Sequence, residues 1–266
     1  NIKALLTQRE VSVDGIVITQ YDYNLRNGQI VSISNAGVRN RKQIGFPDII
    51  FEDEDLIVID KPPGLVSISN DIEKMNTAFR IVNDYVRQNK SVKRIFVVHR
   101  LDRDTSGVLL FAKNEAMKYA LQDNWSELVK NREYVAIVEG IMKEQSGRIH
   151  SWLKQTKTLV MYSTENKADG LEAATNYEVI NETNDYSMLK INLETGRKNQ
   201  IRVHMKELGH CIVGDKKYGA KTNPLNRLGL HASKLEIVHP FSKKTLYFES
   251  PVPDNFNILF GKIRNK

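Results

Sequence analysis

HRLDRDTSGVLLF, residues 99–111, sets one aspartate, Asp102, between Arg100 and Arg103 in a polar stretch with an apolar run on either side. IFVV (95–98) and VLLFA (108–112) are continuous and rich in β-branched and aromatic residues, which predicts two buried strands joined by a tight loop that carries Asp102. Asp102 and Asp104 also suit ordinary turn capping, since Asp, Thr105, Ser106 and Gly107 are all turn formers. A carboxylate on a loop with rigid flanks is thus either a turn device or a working group, and residues elsewhere in the chain must decide between them.

With 266 residues and 41% hydrophobic content the chain can bury a substantial core, as one large domain or two smaller ones. No apolar run approaches the length of a membrane span and no signal-peptide pattern is present, so no membrane partner is expected. The single cysteine, Cys211, excludes an internal disulfide and a thiolate metal cluster and fits a cytoplasmic compartment. Lys and Arg number 39 against 32 Asp and Glu, and the net +7 favours polyanionic partners, nucleic acid above all. The six histidines form no compact ligand spacing, so no metal is expected. Neither a GxxxxGK[ST] nor a GxGxxG loop occurs, and there is no GxSxG elbow, which argues against nucleotide-driven chemistry and against a serine hydrolase.

Residues 1–45 read as a small separate unit: a short helix in IKALLTQRE, then the alternating segments VSVDGIVIT and QIVSI linked through YDYNLRNGQ with its Asn-Gly turn. RNRKQIGFP (39–47) has the character of a linker, and residues 46–266 form the larger unit. There, FEDEDLIVIDKPPG predicts a buried strand stopped by a turn, and Met75, Phe79, Val82 and Val86 mark one helical face. Met117, Ala120, Leu121, Trp125 and Leu128 share a second helical stripe. REYVAIVEG (132–140), YEVI (177–180), SMLKINL (187–193), KLEIV (234–238) and TLYFE (245–249) read as strands. QIRVHMKELG (200–209) reads as a helix stopped by Gly209. Strands outnumber helices without alternating with them, so the fold class is α+β, with a mixed, mostly antiparallel central sheet and flanking helices.

TGRKNQIRVHMK (195–206) concentrates Arg197, Lys198, Arg202, His204 and Lys206 in one cluster, which by itself suits a solvated helix face as well as a phosphate site. Taken together, the segments resemble the RluA-type pseudouridine synthase family. HRLDRDTSGVLLFAK resembles the family's HRLDxxTSG loop and TGRKNQIRVHM its GRxHQIRVH helix, with DKPPGL (60–65), REYVAIVEG, GHCIVGDKKYG (209–219) and LGLHASKL (228–235) following the same order. Residues 1–33 resemble the later part of an S-four RNA-binding domain whose usual first helix has no counterpart, as in a chain cut short.

The resemblance implies a pseudouridine synthase fold and an enzyme that turns uridine into pseudouridine without cofactor or metal. It favours large-subunit ribosomal RNA, with transfer RNA as the alternative, and a monomer is expected. Asp102 is implied as the single carboxylate that attacks the sugar or serves as base on its neighbouring carbon, whereas glycoside hydrolysis usually recruits two. Arg202 is implied as its cationic partner; an arginine within a few ångströms typically lowers an aspartate pKa by about 1 to 3. Tyr134 is implied to stack on uracil, with its hydroxyl as a candidate for proton removal at carbon five. Arg100 would fill the space left by the extruded base. Leu230 would line the pocket, and Arg197, Lys198 and Asn199 would contact RNA. Asn199 departs from the family's usual histidine; it keeps hydrogen-bonding capacity but cannot become cationic. Two other readings compete: a non-catalytic RNA-binding or ribosome-assembly factor, and a glycosidase using Asp104 as a second acid.

Overall fold

The computed structural model describes residues 2–7, 11–14, 16–33, 46–69, 76–88 and 94–261. The chain divides into two compact units, Asn1–Gly45 and Phe46–Lys266. Most of the linker segment and Met75 lie outside the described residues.

In the first unit, helix α1 (Ile2–Thr7) is followed by a three-stranded antiparallel sheet in the order β2 (Ile16–Val17), β1 (Val11–Val13), β3 (Val31–Ile33). VSVDGIVIT is therefore a hairpin rather than one strand, because Asp14 turns the chain in the left-handed region (φ 51). Its carboxylate accepts from the Ile30 amide at 2.9 Å and from Gln29 Nε2 at 2.9 Å, which ties the turn to the segment entering β3.

The second unit is built on one eleven-stranded sheet. Its main path runs β10 (Met161–Thr164), β9 (Ser146–Gln155), β11 (Leu171–Glu182), β12 (Tyr186–Leu193), β8 (Val129–Glu139), β13 (Leu230–Val238), β7 (Ser106–Ala112), β5 (Leu56–Lys61), β4 (Ile49–Glu52). β6 (Phe96–Val97) pairs with β7, and β14 (Thr245–Glu249) with β13. Every strand pair is antiparallel except β7 with β13.

That parallel contact makes β7 central, and all seven of its residues are buried, as a continuous apolar run requires. The helices are α2 (Ala78–Gln88), α3 (Glu115–Asp123), α4 (Trp125–Leu128), α5 (Gln200–Glu207) and α6 (Asp254–Leu259). Met117 and Leu121 of α3 pack on Leu56, Val58, Val108 and Leu110, whereas Ile201 and Met205 of α5 pack on Ala136, Val138, Leu189 and Ile191. Two separate core clusters thus lie against neighbouring parts of one sheet.

The stripe from Met117 to Leu128 is not one helix. Asn124 (φ −118, ψ 26) ends α3, and its side-chain amide donates to Ala120 O at 3.0 Å, a local bond that competes with continued winding. Trp125 consequently leaves the stripe and stacks on His99, ring centroids 5.2 Å apart.

Candidate active site

The loop between β6 and β7 is fastened from several sides. His99 Nε2 accepts from the Leu110 amide at 3.0 Å, so the ring is neutral at that nitrogen; burial, aided by nearby Arg132, pulls its pKa down to about 4. Ser67 Oγ donates to Leu101 O (2.7 Å) and accepts from Leu101 N (3.1 Å). Lys61, fully buried, donates to Pro62 O, Leu65 O and Arg103 O at 3.0, 2.8 and 3.0 Å, locking the Pro-Pro-Gly turn to the far side of the loop. Burial lowers its pKa to about 7. Thr105 N donates to Asp102 O at 3.2 Å, closing the turn that carries the aspartate.

Gly107 explains the end of the loop. It opposes Ala232 across the parallel pair at φ 109, and a Cβ there would stand 2.1 Å from Ala232 O. Its neighbour Ser106 meets His231 Nδ1 at 2.8 Å and accepts from Arg227 Nη2 at 2.6 Å, so the loop is joined to the strand that begins with Leu230.

The second wall comes from residues 195–202. Gln200, buried, donates to Ala174 O and Thr175 Oγ1 while its carbonyl accepts from Arg197 N and Thr195 Oγ1, which pins the basic segment to β11. His204 lies between Ser151 and Thr175. With one face of α5 so anchored, Arg202 turns inward. Its Nε and Nη2 donate to Asp215 at 2.7 Å each, and Nη1 donates to Asp102 Oδ2 at 3.3 Å. Burial opposes the guanidinium charge, but the Asp215 carboxylate outweighs it, aided by Asp102, and raises the pKa overall.

Asp102 Oδ2 also accepts from Asn199 Nδ2 at 2.5 Å. Asn199 sits in the left-handed region (φ 54), and its Oδ1 accepts from the Tyr218 hydroxyl at 3.0 Å, which fixes the direction of the amide. Both ends of Asn199 thus engage protein groups, and from the cavity wall it holds the aspartate. Oδ1 of Asp102 has no protein partner among the described residues, and the side chain is 28% exposed.

Asp102, Tyr134, Arg202, Arg100, Leu230, Arg197, Lys198 and Asn199 all border one cavity of about 350 Å³, and among the described residues Asp102 is the only acid in its lining. Asp104 is outside it, partly exposed and held by Arg103 through two bonds of 2.9 and 3.0 Å, so among the described residues no second acid for glycoside hydrolysis lines the cavity. Burial pushes the Tyr134 phenol up to about 12, so through neutral pH it is a hydrogen-bond donor and an apolar ring rather than a ready base. Arg100 and Lys198 are exposed at the rim, and Arg197, also exposed, donates to Glu172 O.

Sequence reasoning gave no role to Asp215, Lys61 or Arg132, and read Tyr218 only as a loop anchor. Asp215 and Tyr218 stand in GDKKYG, a stretch whose composition reads as a turn; only its return beneath α5 reveals the ion pair. Among the described residues, no cluster of three or more His, Cys, Asp or Glu side chains could hold a metal ion.

The sequence model of the RNA pseudouridylate synthase family matches residues 55–207, a span that contains both walls of this cavity except Leu230. The chain is 34% identical over 215 residues to the RNA pseudouridine synthase YhcT of Bacillus subtilis, covering 79% of this chain and 70% of that protein. It is 32% identical over 285 residues to ribosomal large subunit pseudouridine synthase D of Nitrosomonas europaea, covering 99% and 80%. Among solved structures, human RNA pseudouridylate synthase domain containing 4 superposes with a TM-score of 0.64 at 23% identity, over 79% of this chain and 90% of that one, a likeness of fold.

Proposed function

The chain belongs to the RNA pseudouridine synthase family, and from that premise we propose that it isomerises a uridine of large-subunit ribosomal RNA, with Asp102 acting on the ribose. The observation that carries this reading is the one carboxylate that lines the cavity among the described residues, held on Oδ2 by Asn199 and Arg202 with Oδ1 left for substrate. Ribosomal RNA is favoured because a relative covering 99% of this chain is named for the large ribosomal subunit.

In the proposed reaction the extruded uridine enters the cavity, since a stacked nucleotide is out of reach of a recessed group. Asp102 attacks the anomeric carbon of the ribose and the bond to the ring nitrogen breaks, its electron pair leaving with uracil. The uracil turns, carbon five bonds to the anomeric carbon, and the carboxylate departs. Carbon five then loses its proton and the freed nitrogen gains one, so no water is consumed. Tyr134 offers a face for stacking and a hydroxyl donor, and Leu230 an apolar wall. Arg100 at the rim takes the space vacated in the RNA. The net charge of +7 and the exposed Arg100, Arg197 and Lys198 give affinity that falls with salt. The Asn1–Gly45 unit, as an S-four-like module, adds RNA contacts of its own.

The test is incubation with ribosomal and transfer RNA in separate tubes, followed by mapping of pseudouridine through carbodiimide-dependent primer stops. New stops in large-subunit RNA are expected with the native chain and none with Asp102→Asn, whose RNA affinity stays within about twofold. Stops only in transfer RNA would reassign the substrate, and turnover by Asp102→Asn would remove the aspartate from the chemistry. Binding without any stops would leave an RNA-binding factor, and release of free uracil a glycosidase.

A further inference from the structure

Arg132 of β8 lies where two cavities meet. A second cavity, of about 250 Å³, shares Trp125, Arg132 and Leu193 with the first and extends over Asn131, Asn176 and Asn192. Arg132 is half-buried, and its Nη2 donates to Leu193 O and Glu194 O at 3.2 and 2.8 Å. Nε and Nη1 have no protein acceptor among the described residues. No enclosed polar side-chain atom there lacks a partner, so these two nitrogens are open to the cavities. Nη1 lies over Gly196, where an added Cβ would stand 2.6 Å from it.

The other half-buried arginines are committed. Arg202 is clamped by Asp215. Arg227 also lacks an acid, yet it spends Nε and Nη2 on Leu228 O, Ser106 Oγ and Leu230 O, stacks on Phe256, and borders neither cavity. Arg132 alone among these three keeps two nitrogens uncommitted toward open space, with no carboxylate paired to it among the described residues. A partly desolvated guanidinium of that kind fits an incoming anion. The nearest acid of the second cavity, Glu194, has both oxygens taken by Arg148 at 2.8 Å, so its charge is already countered.

The second cavity is suited to a nucleobase. Asn192 Nδ2 donates to Asn131 Oδ1 at 2.7 Å and Asn176 Nδ2 to Glu194 Oε1 at 2.8 Å, which leaves the amide donors of Asn131 and the carbonyl acceptors of Asn192 and Asn176. Trp125, between the cavities, supplies an aromatic surface. We propose that Arg132 grips the phosphodiester between the isomerised uridine and its neighbour, and that the asparagine-lined cavity seats that neighbouring nucleotide. The proposal rests on the isomerase reading and assigns the protein a second nucleotide subsite.

The test uses the full chain and a short RNA containing a uridine that the native protein converts, made with natural linkages or with one neutral methylphosphonate on either side of that uridine. For one of the two positions the neutral linkage is expected to weaken binding by the native chain about tenfold. Arg132→Gln is expected to bind natural RNA about tenfold more weakly and to be indifferent to that neutral linkage, with Arg132→Lys between the two. Gly196→Ala, which displaces Nη1 while leaving β8 intact, gives the same pattern in weaker form and serves if Arg132→Gln unfolds. Equal sensitivity of native chain and variants to both linkages overturns the phosphate assignment while the isomerase reading stands. Failure of the native chain to convert any uridine removes both.

Discussion

One amide decides how the aspartate is presented. Arg202 reaches Asp102 with a single nitrogen at 3.3 Å because its other two bonds go to Asp215, so Arg202 supplies charge more than direction. Direction comes from Asn199, whose own orientation is set by Tyr218. The residue whose type departs from the resembled motif is therefore a direct partner of the carboxylate, a role that hydrogen-bonding capacity alone can fill. If Asp102 is the attacking group, Asn199→Ala lowers kcat by about ten- to a hundredfold while RNA affinity stays within about twofold, since small misplacement of a reacting atom is costly. Asn199→Asp is more severe, because it sets a like charge beside the carboxylate. Tyr218→Phe gives a smaller loss by freeing the amide to turn over. Single-turnover kinetics beside equilibrium binding separate these effects; an unchanged kcat in Asn199→Ala would leave orientation to Arg202 alone.

At the scale of elements, β7 and β13 show how strand pairing builds the site. A parallel pair needs backbones at close approach, and Gly107 permits it where the loop ends. Gly107→Ala combines a collision with Ala232 O and a positive φ, and is expected to lower stability by about 3 kcal/mol or more, read as a shift in the urea midpoint. An unchanged midpoint would mean that the two strands can slide apart freely. The strands with continuous apolar runs, β5, β7 and β8, are legible in the sequence because burial on both faces writes itself into consecutive residues. β9 is not: SGRIHSWLKQ buries only Leu153 fully, so no apolar alternation marks it, and its pairing with β11 makes it a strand. The break at Asn124 is equally hidden, since the apolar spacing runs straight through it.

For the whole molecule, acid is the expected weakness. Burial pulls both His99 and His204 down to about 4, so each stays neutral when folded while the unfolded chain takes up a proton near the ordinary histidine value. Between these two values the unfolded state binds more protons, so stability is complete above about pH 6.5 and falls as the pH drops toward 4. The loss is about 2 kcal/mol for each histidine between pH 7 and pH 5. Urea unfolding at the two pH values tests this, with His204→Gln expected to remove part of the difference; a midpoint that does not move would mean that these rings are protonated in the native state. Among the described residues no helix is long and apolar enough to cross a membrane. The sequence alone determined the α+β class and the two basic motifs around Asp102 and Arg202, because buried runs, helical spacing and short signatures are local properties of neighbouring residues. Only the tertiary structure decided that Asp215 clamps Arg202, that Asn199 turns inward, that Asp104 stays outside, and that Arg132 stands between two cavities. Those facts depend on contacts between segments up to about a hundred residues apart, brought together by the order of strands in the sheet.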